Sequence, residues 1–321
     1  MIRPHVWEIV DRLDAVVQKK YEGLTREGLI SQLRRILANL WEKSTRQAMV
    51  ETIEIVESGR GQFSQDEIAL IDRRVAGFLG MDIEEAGRKQ LIQIQSAAYR
   101  LGVVEGAALS AGVQVVWNLA DRKALDILDR NLHFWIHSYH DDNLQEALKA
   151  IMQDYFEGGY NRRDLVDLFK QVFRDIEDKG EKYWNLLADH TVTKTREIGR
   201  VAGYERAGIR VVRIKAQIDA KTSEICRRMH NLVISTEDMR EQVEGYFKAC
   251  ETKNKEKIKK AWPWLTDKQV QRKFRSRAAA GKVARAGNIP PPPYHAHCRT
   301  ITVAEFLSRP GDYGGESFFD E

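Results

Sequence analysis

Apolar residues recur at three- and four-residue steps along most of this chain, the mark of helices that bury one face. Leu29, Leu33, Ile36, Leu37, Leu40 and Trp41 form such a stripe and predict an amphipathic helix over about 25–56, ended by Gly59-Arg60-Gly61. Ser64-Gln65-Asp66-Glu67 has the form of a capping box, and Ile68, Ile71, Val75 and Phe78 follow it at helical spacing, so a second helix begins there. Residues 91–120 are rich in Ala and Gly and uncharged from Gly106 to Ala120. That uncharged run is shorter than the roughly 20 residues a bilayer crossing needs; it predicts a buried helix, or a pair, whose small side chains permit close approach. Stretches 125–136, 144–155, 165–176 and 183–207 complete a helical body, and Val211 to Ile218, alternating and β-branched, is the predicted strand.

At 321 residues, 43% hydrophobic and 31% charged, the chain has the length for two domains and the composition of a globular protein, neither disordered nor membranous. No basic segment followed by an apolar one opens it, so a secretory leader is not expected. Three cysteines, an odd number, point to a reducing compartment and away from a disulfide scaffold. Charge is unevenly placed. From Lys248 to Arg285 there are 13 Lys or Arg against 3 Asp or Glu, a net +10 where the whole chain carries +4, so the remainder is −6. Such a block is either a solvated helical face or an interaction arm for nucleic acid, with Lys255, Lys259, Arg272, Lys273, Arg275 and Arg277 as the candidate contacts.

Candidate chemistry lies in two short clusters. Asp219-Ala220-Lys221-Thr222-Ser223-Glu224-Ile225-Cys226 is followed by His230, and Pro290-Pro291-Pro292-Pro293-Tyr294-His295-Ala296-His297-Cys298-Arg299-Thr300 lies some seventy residues on. Cys226 and His230 are four apart, one helical face; His295 and Cys298 are three apart. Together they supply the four thiolate and imidazole donors of a closed tetrahedral zinc site. The alternative is that Cys226 and Cys298 are buried small hydrophobes and the histidines hydrogen-bond across a packed junction. Phosphate-binding glycine loops, the G-x-S-x-G elbow and H-E-x-x-H are absent from the sequence, so no catalytic residue, cofactor pocket or small-molecule substrate is expected. His133-Phe134-Trp135-Ile136-His137-Ser138-Tyr139-His140 reads as a helix end with Phe134, Trp135 and Tyr139 in the core, and Trp262-Pro263-Trp264 as a turn with packed rings.

The same clusters carry a family resemblance. The chain resembles the phage head morphogenesis family, the Mu F-like minor head proteins, whose C-terminal pattern is a strand, then Asp-x-Arg-Thr-Cys-x-x-Cys, then a variable stretch ending in Pro-x-His-Pro-x-Cys-Arg-Cys. Asp219, Thr222, Cys226, His295, Cys298 and Arg299 match it, Lys221 stands for the Arg, Ala296 for the Pro, and Ser223 and Thr300 occupy two cysteine positions. The matched losses imply that Ser223 and Thr300 replace residues that faced each other, with His230 making up the metal-ligand number. Upstream, the Gly-rich turn Tyr155 to Tyr160, the helix 165–176, Val192-Thr193-Lys194-Thr195-Arg196-Glu197 and Gly208 before the strand follow the family's order. The resemblance covers about residues 125–305.

The resulting expectation is a mainly α protein: an N-terminal helical region, 1–122, and a small α+β head-morphogenesis domain, 123–321, holding the basic insert 248–285. The resemblance implies a minor capsid protein of a tailed bacteriophage, acting in the host cytoplasm during head assembly near the portal and residing in the virion head. Portal or capsid proteins and non-specifically bound DNA would be its partners, with zinc as the one cofactor and no membrane involved. The alternatives are a stand-alone DNA- or zinc-binding regulatory protein carrying the domain, or a hydrolase or toxin built on it.

Overall fold

A computed structural model describes residues 25–60, 64–107, 117–140, 147, 150–151, 161–263, 291–295 and 297–305. The protein is mainly helical with one small antiparallel sheet. In chain order the elements are α1 (Arg26–Ser58), α2 (Gln65–Ala107), α3 (Leu119–His140), α4 (Arg162–Arg206), β1 (Val211–Lys215), α5 (Glu224–Met229), β2 (Val233–Ser235), α6 (Thr236–Glu251), α7 (Lys255–Ala261) and β3 (Ile301–Ala304). The predicted helix at 144–155 and the Gly-rich turn at 155–160 lie almost entirely outside the described residues, as do Trp264 and the four basic residues Arg272, Lys273, Arg275 and Arg277. No helix among the described residues is long and apolar enough to cross a membrane.

Two compact units divide the chain: Met1–Ala97 with Leu119–Val192, and Ala98–Asn118 with Thr193–Glu321. The division falls inside both long helices, α2 and α4.

In the first unit α1 buries Leu29, Leu33, Leu37, Trp41, Ala48 and Val56, the stripe its spacing foretold, and Thr25 caps it by accepting from the Gly28 N–H at 3.1 Å. The capping box forms as read: the Ser64 N–H donates to Glu67 Oε2 at 2.8 Å and the Glu67 N–H to Ser64 Oγ at 3.3 Å. Arg162, at the start of α4, donates to the Val56 carbonyl at 2.8 Å and to Glu67 Oε2 at 2.9 Å. At the core Trp41, Tyr139, Tyr183 and Trp184 pack ring to ring, with Trp41 and Trp184 centroids 5.2 Å apart and Tyr139 stacked on Tyr183 at 4.0 Å. Two expected helices, 165–176 and 183–207, are one: Gly180 does not stop α4 but gives the Trp41 indole room, since a Cβ there would stand 2.9 Å from Trp41 Cδ1. On α3 the buried positions include His133, Ile136 and Tyr139, whereas Phe134 and Trp135 are only half-buried, because the inward face follows the 3.6-residue period through Leu125, Leu128, Leu132 and Ile136.

The second unit joins the end of α2 to the end of α4 through a glycine seam. Gly102 and Gly106 on α2 face Gly199 and Gly203 on α4; a Cβ at Gly106 would lie 2.5 Å from the Arg200 carbonyl oxygen and 3.1 Å from the Gly203 Cα. Beside this backbone approach, Glu105 accepts from Arg196 Nε at 2.8 Å and Nη2 at 2.6 Å, and from Arg200 Nε at 2.8 Å. Burial pushes the Glu105 carboxyl up, but the two guanidiniums outweigh it and hold the acid below its usual range.

After Gly208, whose φ of 65° ends the helix in the left-handed region, β1 forms the centre of a three-stranded sheet in the order β2-β1-β3, both pairings antiparallel. Val212 pairs with Ile234, and Ile214 with Thr302. The strand stops at Lys215, short of the predicted 218, where the chain turns out and leaves Ile218 exposed. Strand β2 and helix α6 lie between the two clusters, where no element is predicted. Cys250, apart from both clusters in sequence, is buried on the inner face of α6.

The glycine seam yields a paired prediction. Replacing a helical glycine by alanine ordinarily stabilises by about 1 kcal/mol, and Gly245→Ala, with nothing near its Cβ position, should do so. Gly106→Ala should instead cost about 1–3 kcal/mol through overpacking against backbone that cannot retreat. Urea melts of the two variants should move in opposite directions; a Gly106→Ala gain equal to that of Gly245→Ala would mean the helices are not in backbone contact.

Candidate metal centre

The centre is built at the exit of β1 and closed by the approach to β3. After β1 the chain forms a tight loop in which Asp219 Oδ1 accepts from the Lys221 N–H at 2.9 Å and Thr222 Oγ1 accepts from the Asp219 N–H at 2.7 Å. Ser223 caps the six-residue helix α5, accepting from the Cys226 N–H at 3.4 Å. This sets Cys226 on the buried side of α5, with Ile225 and Met229.

The second half arrives from far along the sequence and is held at several points. Arg299 forms a two-pronged ion pair with Asp219, Nη1 to Oδ2 at 2.7 Å and Nη2 to Oδ1 at 2.8 Å, and this guanidinium is the main reason the Asp219 carboxyl sits far below its usual range. Trp262 Nε1 donates to the Pro293 carbonyl at 3.1 Å. Thr302 on β3 is gripped by α4: its N–H donates to Glu197 Oε1 at 3.2 Å and its hydroxyl to the same oxygen, while its carbonyl accepts from Arg200 Nη1 at 2.6 Å and from the Tyr204 hydroxyl at 2.8 Å. Burial raises the Glu197 carboxyl against the pull of Arg200, and burial with the nearby Glu197 pushes Tyr204 up to about 12.

These ties bring three donors together. Cys226 Sγ is 3.7 Å from Cys298 Sγ and 3.1 Å from His295 Nε2, and all three ligand atoms lie within 4.8 Å of one another. The cluster could hold a metal ion. Two sulfurs bound to one zinc at about 2.3 Å in tetrahedral geometry stand about 3.8 Å apart, close to the spacing here. The two thiols share their protons unequally. The hydrogen bond from Cys226, and after it His295, lowers Cys298, whereas Cys226 is raised, first by that same partner and then by burial.

Two hydroxyls border the cluster at the positions where the resemblance has cysteine. Ser223 Oγ lies 2.8 Å from His295 Nε2. Thr300 is buried, and its Oγ1 makes no hydrogen bond of ordinary geometry. His230 stands outside the donor group: as the C-cap of α5 it turns its Nδ1 to accept from the Ala216 N–H at 3.1 Å, fixing the exit of β1. It keeps the i,i+4 relation to Cys226, its N–H donating to the Cys226 carbonyl at 3.0 Å, but its ring is engaged by the Ala216 N–H and not by the thiols. Of the candidate nucleic-acid contacts, Lys255 and Lys259 lie on α7, Lys259 exposed and Lys255 half-exposed; the other four are outside the described residues.

Several residues of this region escape sequence reading. Glu197, Arg200 and Tyr204 fall three and four apart on one buried face of α4, a charged stripe where an apolar one belongs, and that mismatch is the available signal. Lys194 is another: it is 5% exposed, donates to the Tyr246 hydroxyl at 3.1 Å, and sits over the rings of Tyr246 at 4.4 Å and Trp262 at 5.1 Å. Nothing in its local sequence marks it as buried.

Comparison with family models, curated proteins and solved structures finds no match.

Lys194 gives a pH test. Burial lowers its ammonium from 10.5 to about 7, opposed by the nearby Cys250. Between those values the unfolded chain binds a proton the folded chain does not, so folding stability should rise with pH across that window and the cost of burial is fully present below it. One proton corresponds to at most about 1.4 kcal/mol per pH unit. Relative to Lys194→Met, the wild type should therefore gain stability from pH 7 to 9 in denaturant titrations; parallel curves would show that the ring faces keep the lysine charged throughout.

Proposed function

We propose that this protein is a minor head protein of a tailed bacteriophage, whose C-terminal module is stapled by zinc and whose basic segment contacts packaged DNA. One observation carries the reading: the two motif halves through which the chain resembles that family, some seventy residues apart, meet in a single cluster tied by the Asp219–Arg299 pair. The donor set of two thiols and an imidazole suits zinc, which binds sulfur and nitrogen in tetrahedral geometry. Zinc there supplies a cross-link between the α5 loop and the approach to β3 and calls for no reaction, so the reading assigns the chain no turnover of its own. Portal or capsid proteins are the partners it implies.

The direct test uses the phage whose genome carries this reading frame. Separated heads and tails should place the protein in heads at low copy, and its deletion should give defective heads. Normal infectious virions lacking the protein would overturn the assignment and leave a regulatory role as the better reading.

DNA contact has its own test. The segment 248–285, at +10, should bind duplex DNA without sequence preference, with the logarithm of affinity falling by about 0.9 per phosphate contacted as salt rises. Arg272, Lys273, Arg275 and Arg277 changed together to Gln should lower both affinity and salt slope. Absence of retention of the wild-type chain on DNA at low ionic strength would make the charge a solvated surface.

A further inference from the structure

Three protein donors leave a tetrahedral metal one ligand short, and closed structural zinc sites carry four. With His230 committed to the Ala216 N–H, the described residues put no fourth nitrogen, sulfur or carboxylate into the group. What stands next to it is oxygen. Ser223 Oγ lies 2.8 Å from His295 Nε2, the ring nitrogen that also faces Cys226 Sγ at 3.1 Å. A metal bound through that nitrogen and the two sulfurs would take up the place His295 Nε2 now shares with the serine, leaving the hydroxyl beside the metal's remaining position.

Burial gives this position a direction. Cys226 and Cys298 are 3% and 0% exposed and close the inner side of the cluster, with Tyr294 and Thr300 buried beside them. Ser223 and His295 are half-exposed and form its outer edge. Solvent therefore reaches the centre from the serine side.

We propose that a metal held by Cys226, His295 and Cys298 keeps its fourth position exchangeable, on the Ser223 side, filled by the serine hydroxyl or water and open to a small thiolate from solution. The inference rests on the metal-binding reading above and deepens it: the centre is a ligand-accepting one and not only a staple. Hydroxyls are weak zinc ligands beside thiolates, so an external thiolate has the advantage at this position. Ser223→Cys would fill the position from within and close it.

Cobalt(II) substitution of the full chain reads the coordination directly, through thiolate-to-metal charge-transfer absorption and the ligand-field bands of a four-coordinate ion. The wild type should show the charge-transfer absorption of two thiolates, and adding 2-mercaptoethanol should strengthen that absorption and shift the ligand-field bands while cobalt remains on the protein. Ser223→Cys should show the stronger absorption from the start and no longer respond to the added thiol. Cobalt bound with thiolate absorption but unmoved by 2-mercaptoethanol would overturn the open position and leave metal binding standing. A Ser223→Cys protein that still responds as the wild type does would remove the serine from that position, and the proposal with it. No thiolate-to-cobalt absorption at all would overturn the metal reading itself.

Discussion

The grip of α4 on Thr302 is the interaction on which the candidate centre depends. Strand β3 is four residues long and among the described residues pairs with β1 alone, too little by itself to fix the segment before it. Glu197, Arg200 and Tyr204 converge on Thr302 from one helix face and take up its N–H, hydroxyl and carbonyl. Buried charges of this kind are tolerated when each is paired and hydrogen-bonded, and removing one partner is costly because it strands the other. Here Arg200 is shared between Thr302 and Glu105, so the strand's anchor and the pairing of α2 with α4 are one network. With Thr302 fixed, Cys298 and His295 are only a few residues from a rigid point.

The other ties act on the same segment from different sides. Arg299 locks onto the β1 exit loop through Asp219, and Trp262 holds the Pro293 carbonyl while its ring covers Lys194. Arg213 on β1 binds Glu305 just past β3 through a two-pronged pair at 2.7 and 2.6 Å. The sulfur and imidazole donors thus converge within a frame held by ordinary hydrogen bonds and ion pairs, so a metal would add to a preformed arrangement.

Much of this was legible in the sequence where a periodic pattern or short-range chemistry decides structure. The stripe from Leu29 to Trp41, the Ser64–Glu67 box and strand β1 were readable because each is settled within a few residues. Helix continuity was not. The small residues around Gly102 and Gly106 read as permitting close approach, but the backbone they meet, and the Trp41 ring against Gly180, lie on other helices that no local window contains. The meeting of Cys226 with Cys298 was legible only from the paired motifs, whereas the part played by His230 depended on the Ala216 N–H at the exit of β1, which its own helical spacing does not show. The charged face of Glu197 and Arg200 carried a signal, polar residues where the buried stripe should be apolar, but not its partner, because the strand they hold lies a hundred residues on.

Zinc K-edge X-ray absorption on the chain purified without chelator tests most directly the claim that the two distant motif halves form one metal centre. The account predicts a first shell of two sulfurs at about 2.3 Å with nitrogen and oxygen neighbours at about 2.0–2.2 Å, lost when Cys298 is changed to Ala. Protein free of zinc, or zinc in an all-oxygen or all-nitrogen shell indifferent to Cys298, would contradict it.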